Sequence, residues 1–200
     1  LMELLWPGVG PTVAGNRLSV LLSTVRDVLQ PELVGEPPLI TTDGAVSLNR
    51  SQVSIDVESF LAHAAGAFEA DRAGAPDATG QLVAAVAAHT GDFLENDPYQ
   101  EWAGAIAEEV RAAHIALLRA LTARLREAGV TDDAVWYTLR LLEQDRYDEE
   151  AHRNLIGVLL EAGRLGEAHR HYQNYVRRMA EIDVRPSPLS QMTSQRLINR

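Results

Sequence analysis

The sequence has no cysteine and no lysine. Without cysteine the chain has no disulfide framework, no thiolate metal site and no cysteine nucleophile. Without lysine it has no phosphate-binding loop of the kind that ends in Gly-Lys. No apolar run approaches the length of a transmembrane helix, and no basic segment precedes an apolar stretch at the N-terminus. We therefore expect no membrane partner and no signal peptide within this chain.

The composition is otherwise that of a globular protein with an acidic surface. The chain has 200 residues, of which 46% are hydrophobic and 23% are charged. Its 18 basic residues, all of them arginine, stand against 28 acidic residues, for a net charge of −10. This length is sufficient for one domain, or for one domain and part of another.

The first quarter of the chain predicts a helix followed by a β-hairpin. Apolar residues at helical spacing predict a helix over 13–30, with Thr12 as its cap and Pro31 at its end. Its core-facing residues are expected to be Leu18, Leu21, Leu22, Val25 and Leu29. Asp43-Gly44 predicts a tight turn between strands at 39–42 and 45–48. The alternation of Val53, Ile55 and Val57 predicts a third extended segment.

The rest of the chain predicts helices. They are expected at 57–70, 79–90, 98–127, 131–144, 148–162 and 164–181, with a weaker one at 188–198. Residues 125–134 recur as 159–168, an offset of 34 that is typical of tetratricopeptide repeats. In such repeats small residues let paired helices approach, and the pairs stack to bury their apolar faces. The alternative is that unrelated antiparallel helices share an Ala-Gly corner.

The sequence carries no motif that indicates catalysis or a bound metal. The six histidines include one Glu149-x-x-His152 pair, whereas a di-iron bundle needs two such pairs and further glutamates. The chain has no His-Glu-x-x-His, no Gly-x-Ser-x-Gly and no glycine-rich dinucleotide turn. We therefore predict no catalytic residue, no metal ligand and no cofactor, and we expect that the protein is not an enzyme.

The order of helix, hairpin and helical array resembles the bacterial transcriptional activation domain (BTAD) family, as in the Streptomyces antibiotic regulatory proteins. Those proteins join an OmpR-type winged helix to a tetratricopeptide-like domain. The matching segments are Leu4-Leu5-Trp6-Pro7, Asn16-Arg17-Leu18-Ser19-Val20, Val25-Arg26, Val28-Leu29, Asp56-Val57-x-x-Phe60, Gly91-Asp92-Phe93-Leu94, Glu101-Trp102, Tyr147-Asp148-Glu149, Ala162-Gly163-Arg164-x-x-Glu167-Ala168 and Pro186-Ser187-Pro188.

The resemblance implies a mainly α fold, with a tetratricopeptide-like helical array preceded by a truncated winged helix with a small β-hairpin. The implied domains are a partial winged helix over 1–54, with a recognition helix at 13–30 and a wing at 39–48, and a tetratricopeptide-like activation domain over 55–200. The chain is expected to begin inside the second helix of the winged helix. A cytoplasmic transcription regulator is the implied function.

The recognition helix and the wing supply the candidate DNA-binding residues. These are Asn16, Arg17, Ser23, Thr24, Arg26, Thr41 and Thr42. Arginine and asparagine can read guanine and adenine, and hydroxyls can bind phosphate oxygens. However, residues 1–56 hold three arginines and six acidic residues, a net charge of −3, and Asp27 lies on the same helix. Because DNA affinity comes largely from neutralised phosphates, the alternative is an interaction or sensory module whose winged-helix remnant no longer binds DNA.

The helical domain supplies candidates for protein binding. Arginines are dense in its second half, and Arg140, Arg146, Arg153 and Arg170 are the candidate contacts for an acidic partner. The alternative is that they pair with neighbouring acids on a solvated helix face. The resemblance implies promoter DNA as one partner, and RNA polymerase, another regulator or a second protomer in a homodimer as others.

Overall fold

The computed structural model describes residues 1–30, 35–96 and 101–187, which form two compact units, Leu1–Asp56 and Val57–Arg200. The described residues are mainly helical and include a two-stranded antiparallel hairpin in the first unit. The expected mainly α fold, with a small hairpin and a helical array, is therefore confirmed. None of the described helices combines the length and the apolar character that are needed to span a bilayer.

The first unit contains α1 (Met2–Leu5), α2 (Pro11–Leu29), β1 (Leu39–Thr42) and β2 (Ala45–Leu48). The strands pair from Leu39 opposite Leu48 to Thr42 opposite Ala45. Asp43 and Gly44 both have positive φ, 51° and 76°, as the predicted two-residue turn requires.

Two predictions for α2 are wrong. The helix begins at Pro11 with Gly10 as its N-cap, so Thr12 is not the cap. Proline is suited to this first position because its missing N–H would have no partner there. The only residue of α2 that is buried is Ala14, and Leu21 is 41% exposed although it was expected to face the core. The reason is that the described neighbours of α2 cover only part of its apolar stripe.

The predicted third extended segment is also wrong. The backbone N–H groups of Gln52 and Val53 both donate to the Asn49 carbonyl, which folds the chain into a turn after β2. Val57 already belongs to α3 (Asp56–Arg72). The alternation of three apolar residues was too short a signal to distinguish a strand from a turn followed by a helix.

The second unit continues from α3 with α4 (Ala78–Ala87), a 3-10 turn (Glu101–Ala103), α5 (Gly104–Glu127), α6 (Thr131–Gln144), α7 (Glu149–Glu161) and α8 (Leu165–Glu181). From α4 to α8, each helix packs against the next along the chain. Of the helix predicted over 98–127, residues 98–100 lie outside the described residues, Glu101–Ala103 form the 3-10 turn and the α-helix begins at Gly104. The helix predicted over 188–198 lies outside the described residues.

The 34-residue repeat corresponds to two equivalent helix corners. Gly129 and Gly163 have φ of 72° and 71°, a left-handed conformation that favours glycine. At the first corner Val130 N–H donates to the Leu125 carbonyl over 2.9 Å, and at the second Arg164 N–H donates to the Leu159 carbonyl over 2.8 Å. Each corner therefore ends its helix with the same six-to-one bond of a Schellman motif.

The core of the second unit follows from the same repeat. Ala134 and Ala168 are both fully buried and belong to the core cluster of the array. Leu121 and Leu155 are 0% and 1% exposed and fill the space between helices. Burial of this apolar surface is the main stabilising contribution to the array.

Candidate functional surfaces

Six of the seven candidate DNA-binding residues are exposed. They are Asn16, Arg17, Ser23 and Thr24 on α2, and Thr41 and Thr42 on β1. The seventh, Arg26, is half-buried. Asp27 is also exposed, so α2 presents a carboxylate among its polar side chains.

One contact brings the helix and the hairpin of the first unit together. The Arg26 guanidinium donates to the hydroxyl oxygen of Thr41, with Nη2 3.3 Å from Oγ1. Thr24 uses its hydroxyl to donate to the Val20 carbonyl over 3.1 Å, which is a bond within the helix. Arg26, Thr24 and Thr41 therefore already have partners within the unit, and Arg17 is the candidate cation with the most solvent-facing position.

The four candidate arginines of the second unit lie among different neighbours. Arg140 stacks over the exposed ring of Trp136 at 5.0 Å, and Arg146 stacks over Tyr147 at 4.8 Å. Arg153 is exposed on α7, and Arg170 is exposed on α8. No hydrogen bond, ion pair or ring contact within the described parts of the chain joins any two of them.

Arg170 lies at a groove between α6 and α8, which we call the α6–α8 groove. Its volume is about 230 Å³. The groove is lined by Val135, Leu139, Leu155, Leu159, Glu167, Arg170, His171 and Asn174. The sequence did not reveal this groove, because its lining comes from three helices whose packing is decided by tertiary structure.

His171 is held at the groove by a chain of hydrogen bonds. His152 Nε2 lies 3.0 Å from the Arg146 carbonyl oxygen, which can only accept, so Nε2 carries the proton. His152 Nδ1 is then the acceptor for His171 Nε2, which lies 3.1 Å away. Burial, with the neighbouring His152 adding to it, lowers the pKa of His171 to about 4. His171 is therefore neutral near pH 7, and its Nδ1 remains available as an acceptor.

A larger cleft of about 560 Å³ lies beside the N-terminal half of α5. Its charged lining residues are Asp92, Glu95, Glu108, Arg111 and Glu143. Four carboxylates against one guanidinium make this cleft acidic, which disfavours phosphate groups.

The other histidines form a packed pair rather than a ligand set. His114 is 1% exposed and stacks on His89 with ring centroids 3.9 Å apart. In the described ranges, no group of three or more histidine, aspartate or glutamate side chains is placed to hold a metal ion.

One ion pair that the sequence did not reveal joins two helices of the array. Arg119 on α5 donates to Asp148 through Nη2 at 2.6 Å, and Asp148 also accepts from the backbone N–H of Ala151 at 2.9 Å. Asp148 thus caps α7 and joins it to α5. Its position as the first residue of the helix predicted over 148–162 was the signal that could have identified the cap.

The glutamate of the Glu149-x-x-His152 pair accepts hydrogen bonds from other parts of the array. Glu149 accepts from the Tyr175 hydroxyl, and from the Ser187 backbone N–H over 2.6 Å. The hydrogen bond from Tyr175 contributes most to a lowered pKa of the Glu149 carboxyl, and the bond from Ser187 adds to it. Its carboxylate therefore fastens α8 and the segment after it to the start of α7.

The model of the bacterial transcriptional activator domain family matches residues 55–197, which is most of the chain. The chain belongs to this family. The expected family is therefore confirmed over the helical array, and at a coarse level the family assigns the protein to the regulation of transcription. The comparison with curated proteins and the comparison with solved structures gave no match.

Proposed function

We propose that this protein is a transcription regulator in which the first unit contacts promoter DNA and the helical array binds a protein partner. In this proposal the first unit is the partial winged helix, with α2 as its recognition helix and the hairpin as its wing. The array has tetratricopeptide-like pairing and addresses RNA polymerase, another regulator or a second protomer. No catalytic role is assigned to any residue.

The observation that supports DNA contact is the placement of the candidate side chains. Asn16 and Arg17 project from α2 into solvent, and the bond from Arg26 to Thr41 attaches the hairpin to the same helix. A helix with exposed arginine and asparagine next to a β-ribbon can reach base edges and phosphates together.

The experiment is a titration of fluorescent duplex DNA of mixed sequence at low salt. Because Arg17 would neutralise one phosphate or hold one base, Arg17→Ala should weaken binding by about 1–3 kcal/mol and reduce the salt slope by about 1. Asp27→Arg should strengthen binding because it replaces a repulsive charge. Arg72→Ala is the matched control, since Arg72 is exposed at the end of α3 in the second unit and should leave binding unchanged.

The second candidate function is an interaction module that does not bind DNA. The net charge of −3 over residues 1–56 and the exposed Asp27 favour it. If the wild type and Asp27→Arg both fail to bind DNA at micromolar protein, this second function replaces the first.

A further inference from the structure

We propose that a pocket between α5, α6 and α7 binds a small molecule that carries a hydroxyl group and no negative charge. The volume of this pocket, which we call the α5–α7 pocket, is about 70 Å³. Buried residues form its floor and exposed charged residues form its mouth; the floor is Thr122, Thr138, Leu141 and Ala151, and the mouth is Arg119 and Glu150. Such a site goes beyond the proposed function, which assigns only macromolecular partners.

The floor of the pocket holds a hydroxyl group that has no partner. Thr122 of α5 is 4% exposed, and its Oγ1 forms no hydrogen bond with a described residue. A buried hydroxyl without a partner is unfavourable, because it has lost its hydrogen bonds to water. Threonine in a helix can donate to the carbonyl four residues earlier, and Thr138 does so, with Oγ1 2.6 Å from the Ala134 carbonyl oxygen. Thr122 makes no such bond, so its hydroxyl can bond to a molecule in the pocket.

The two hydroxyls of the floor favour a hydroxyl group on the ligand. Thr138 directs its proton at Ala134, so its oxygen can only accept a further hydrogen bond. The Thr122 hydroxyl can still donate. A ligand hydroxyl both donates and accepts, whereas an ammonium has no acceptor and a carboxylate has no donor. The floor contains no charged side chain, so a charged group there would be buried without a counter-charge.

The size and the apolar part of the floor favour a short carbon skeleton beside this hydroxyl. A cavity needs about 10–15 Å³ to hold one water, so the pocket is large enough for a molecule of about five non-hydrogen atoms. Leu141 and Ala151 are both 2% exposed, and their side chains offer no hydrogen bond to water. Carbon atoms that displace poorly bonded water from these side chains increase affinity.

The charges at the mouth disfavour an anion. Arg119 donates to Asp148 from Nε at 3.2 Å and from Nη2 at 2.6 Å. Asp148 chiefly, and also Glu150 and Asp145, raise the pKa of Arg119, which shows that all three carboxylates lie near it. One guanidinium therefore faces three carboxylates, and a ligand carboxylate would be repelled.

The other arginines near the pocket do not reverse this balance. Arg126 donates to the Asn154 side-chain oxygen at 3.5 Å, but it also donates to Glu161 at 2.6 Å. Arg153 acts on the carboxylate of Glu149. Each of these two arginines thus has a carboxylate of its own. Because the Asn154 oxygen is used by Arg126, the amide N–H groups of Asn154 can donate to a second hydroxyl of the ligand.

The test uses propane-1,2-diol as the probe and lactate as its comparison. The two molecules share a carbon skeleton and one hydroxyl, but lactate has a carboxylate where the diol has its terminal hydroxyl. Amide chemical shifts of the isotope-labelled full chain are followed during each titration. We expect saturable shifts around Thr122 with a Kd of about 1–10 mM for the diol, and binding of lactate that is about tenfold weaker.

Two variants locate the site, and each has a matched control. Thr122→Val removes the hydroxyl without breaking a hydrogen bond and should weaken diol binding by about tenfold. Ala123→Leu places a larger side chain at an exposed position of the lining and should also weaken it by about tenfold. Thr79→Val and Ala112→Leu make the same changes outside the lining and should alter binding less than about twofold.

Three results would overturn the proposal. Absence of saturable shifts with the diol at about 100 mM would mean that the pocket holds only water. Equal or tighter binding of lactate would contradict the inferred charge preference. Diol binding by Thr122→Val that equals the wild type would show that the hydroxyl is not part of a site. Circular dichroism checks the fold of all four variants, and if Thr122→Val does not fold, undiminished binding by Ala123→Leu overturns the proposal instead.

Discussion

The packing of the array changes the pKa of one buried side chain, His114. It is 1% exposed, its ring stacks on His89 at 3.9 Å, and its Nδ1 has no hydrogen-bond partner. Burial first, then positive charge on His89 and on Arg140, lowers the pKa of His114 to about 4, against a smaller opposing effect of Asp92. The imidazole is therefore neutral in the folded protein, at a pH where the unfolded chain begins to bind a proton.

Because folding lowers the pKa of His114, the stability of the protein depends on pH through this group. The pKa of His114 is lower in the folded state than its ordinary value of 6.5, so the unfolded state binds more protons between these two values. The free energy of unfolding should fall by about 1 kcal/mol for each pH unit from 6.5 towards 4 through this group alone. Urea titrations at several pH values measure it.

His114→Phe should make this part of the pH profile less steep, because phenylalanine keeps an aromatic ring against His89 and Phe60 but cannot titrate. Some slope should remain, because the pKa of His171 is also lowered to about 4. His63→Gln is the control, since His63 is exposed on α3 and should leave the profile of the wild type unchanged. A profile that is equally steep in the wild type and in His114→Phe would contradict the account of His114.

At the scale of elements, the sequence predicted the array better than the first unit. The corners at Gly129 and Gly163 were visible as a repeat because glycine is favoured where a helix ends with positive φ. For α2, by contrast, the periodic apolar stripe predicted a buried face, and Leu21 is exposed instead. Periodicity shows that a helix is amphipathic, but it does not show how much of its apolar face has a partner.

Two glycine substitutions with opposite expected effects on stability test the left-handed geometry of the helix corner. Gly163→Ala should destabilise the protein by about 1–2 kcal/mol, because a Cβ is disfavoured at a φ of 71° even though no atom lies within 4 Å of it. Gly66→Ala should stabilise it by about 0.5–1 kcal/mol, because Gly66 lies inside α3 at an exposed position with open space around it. Denaturant unfolding of both variants gives the two signs, and a stabilised Gly163→Ala would show that the corner is not left-handed.

For the whole molecule, buried apolar side chains are distributed unequally between the two units. The hydrophobic core cluster lies entirely within the second unit, from Phe60 to Met179. In the first unit the buried hydrophobic residues within the described ranges are Ala14 and Leu39. Because burial of apolar surface is the main source of stability, the second unit has what it needs to fold by itself.

We therefore expect a fragment of residues 55–200 to fold with a cooperative thermal transition and strong helical circular dichroism. A fragment of residues 1–54 should show little regular structure, because so few of its side chains are buried. The pair also tests the domain boundary predicted from the sequence. A non-cooperative transition in the longer fragment would mean that its core needs the first unit.

The sequence by itself determined the helical array, the hairpin turn and the family, because these depend on local patterns: apolar residues at helical spacing, glycine at helix ends and Asp-Gly between strands. It also supplied the candidate residues, but as separate positions along the chain. Only the tertiary structure decided that Arg26 contacts Thr41 and that Arg170 faces an apolar groove while Arg164 is paired with Glu167. The reason is physical: the charge and exposure of a side chain depend on residues far away in sequence, and no local pattern records which of them become its neighbours.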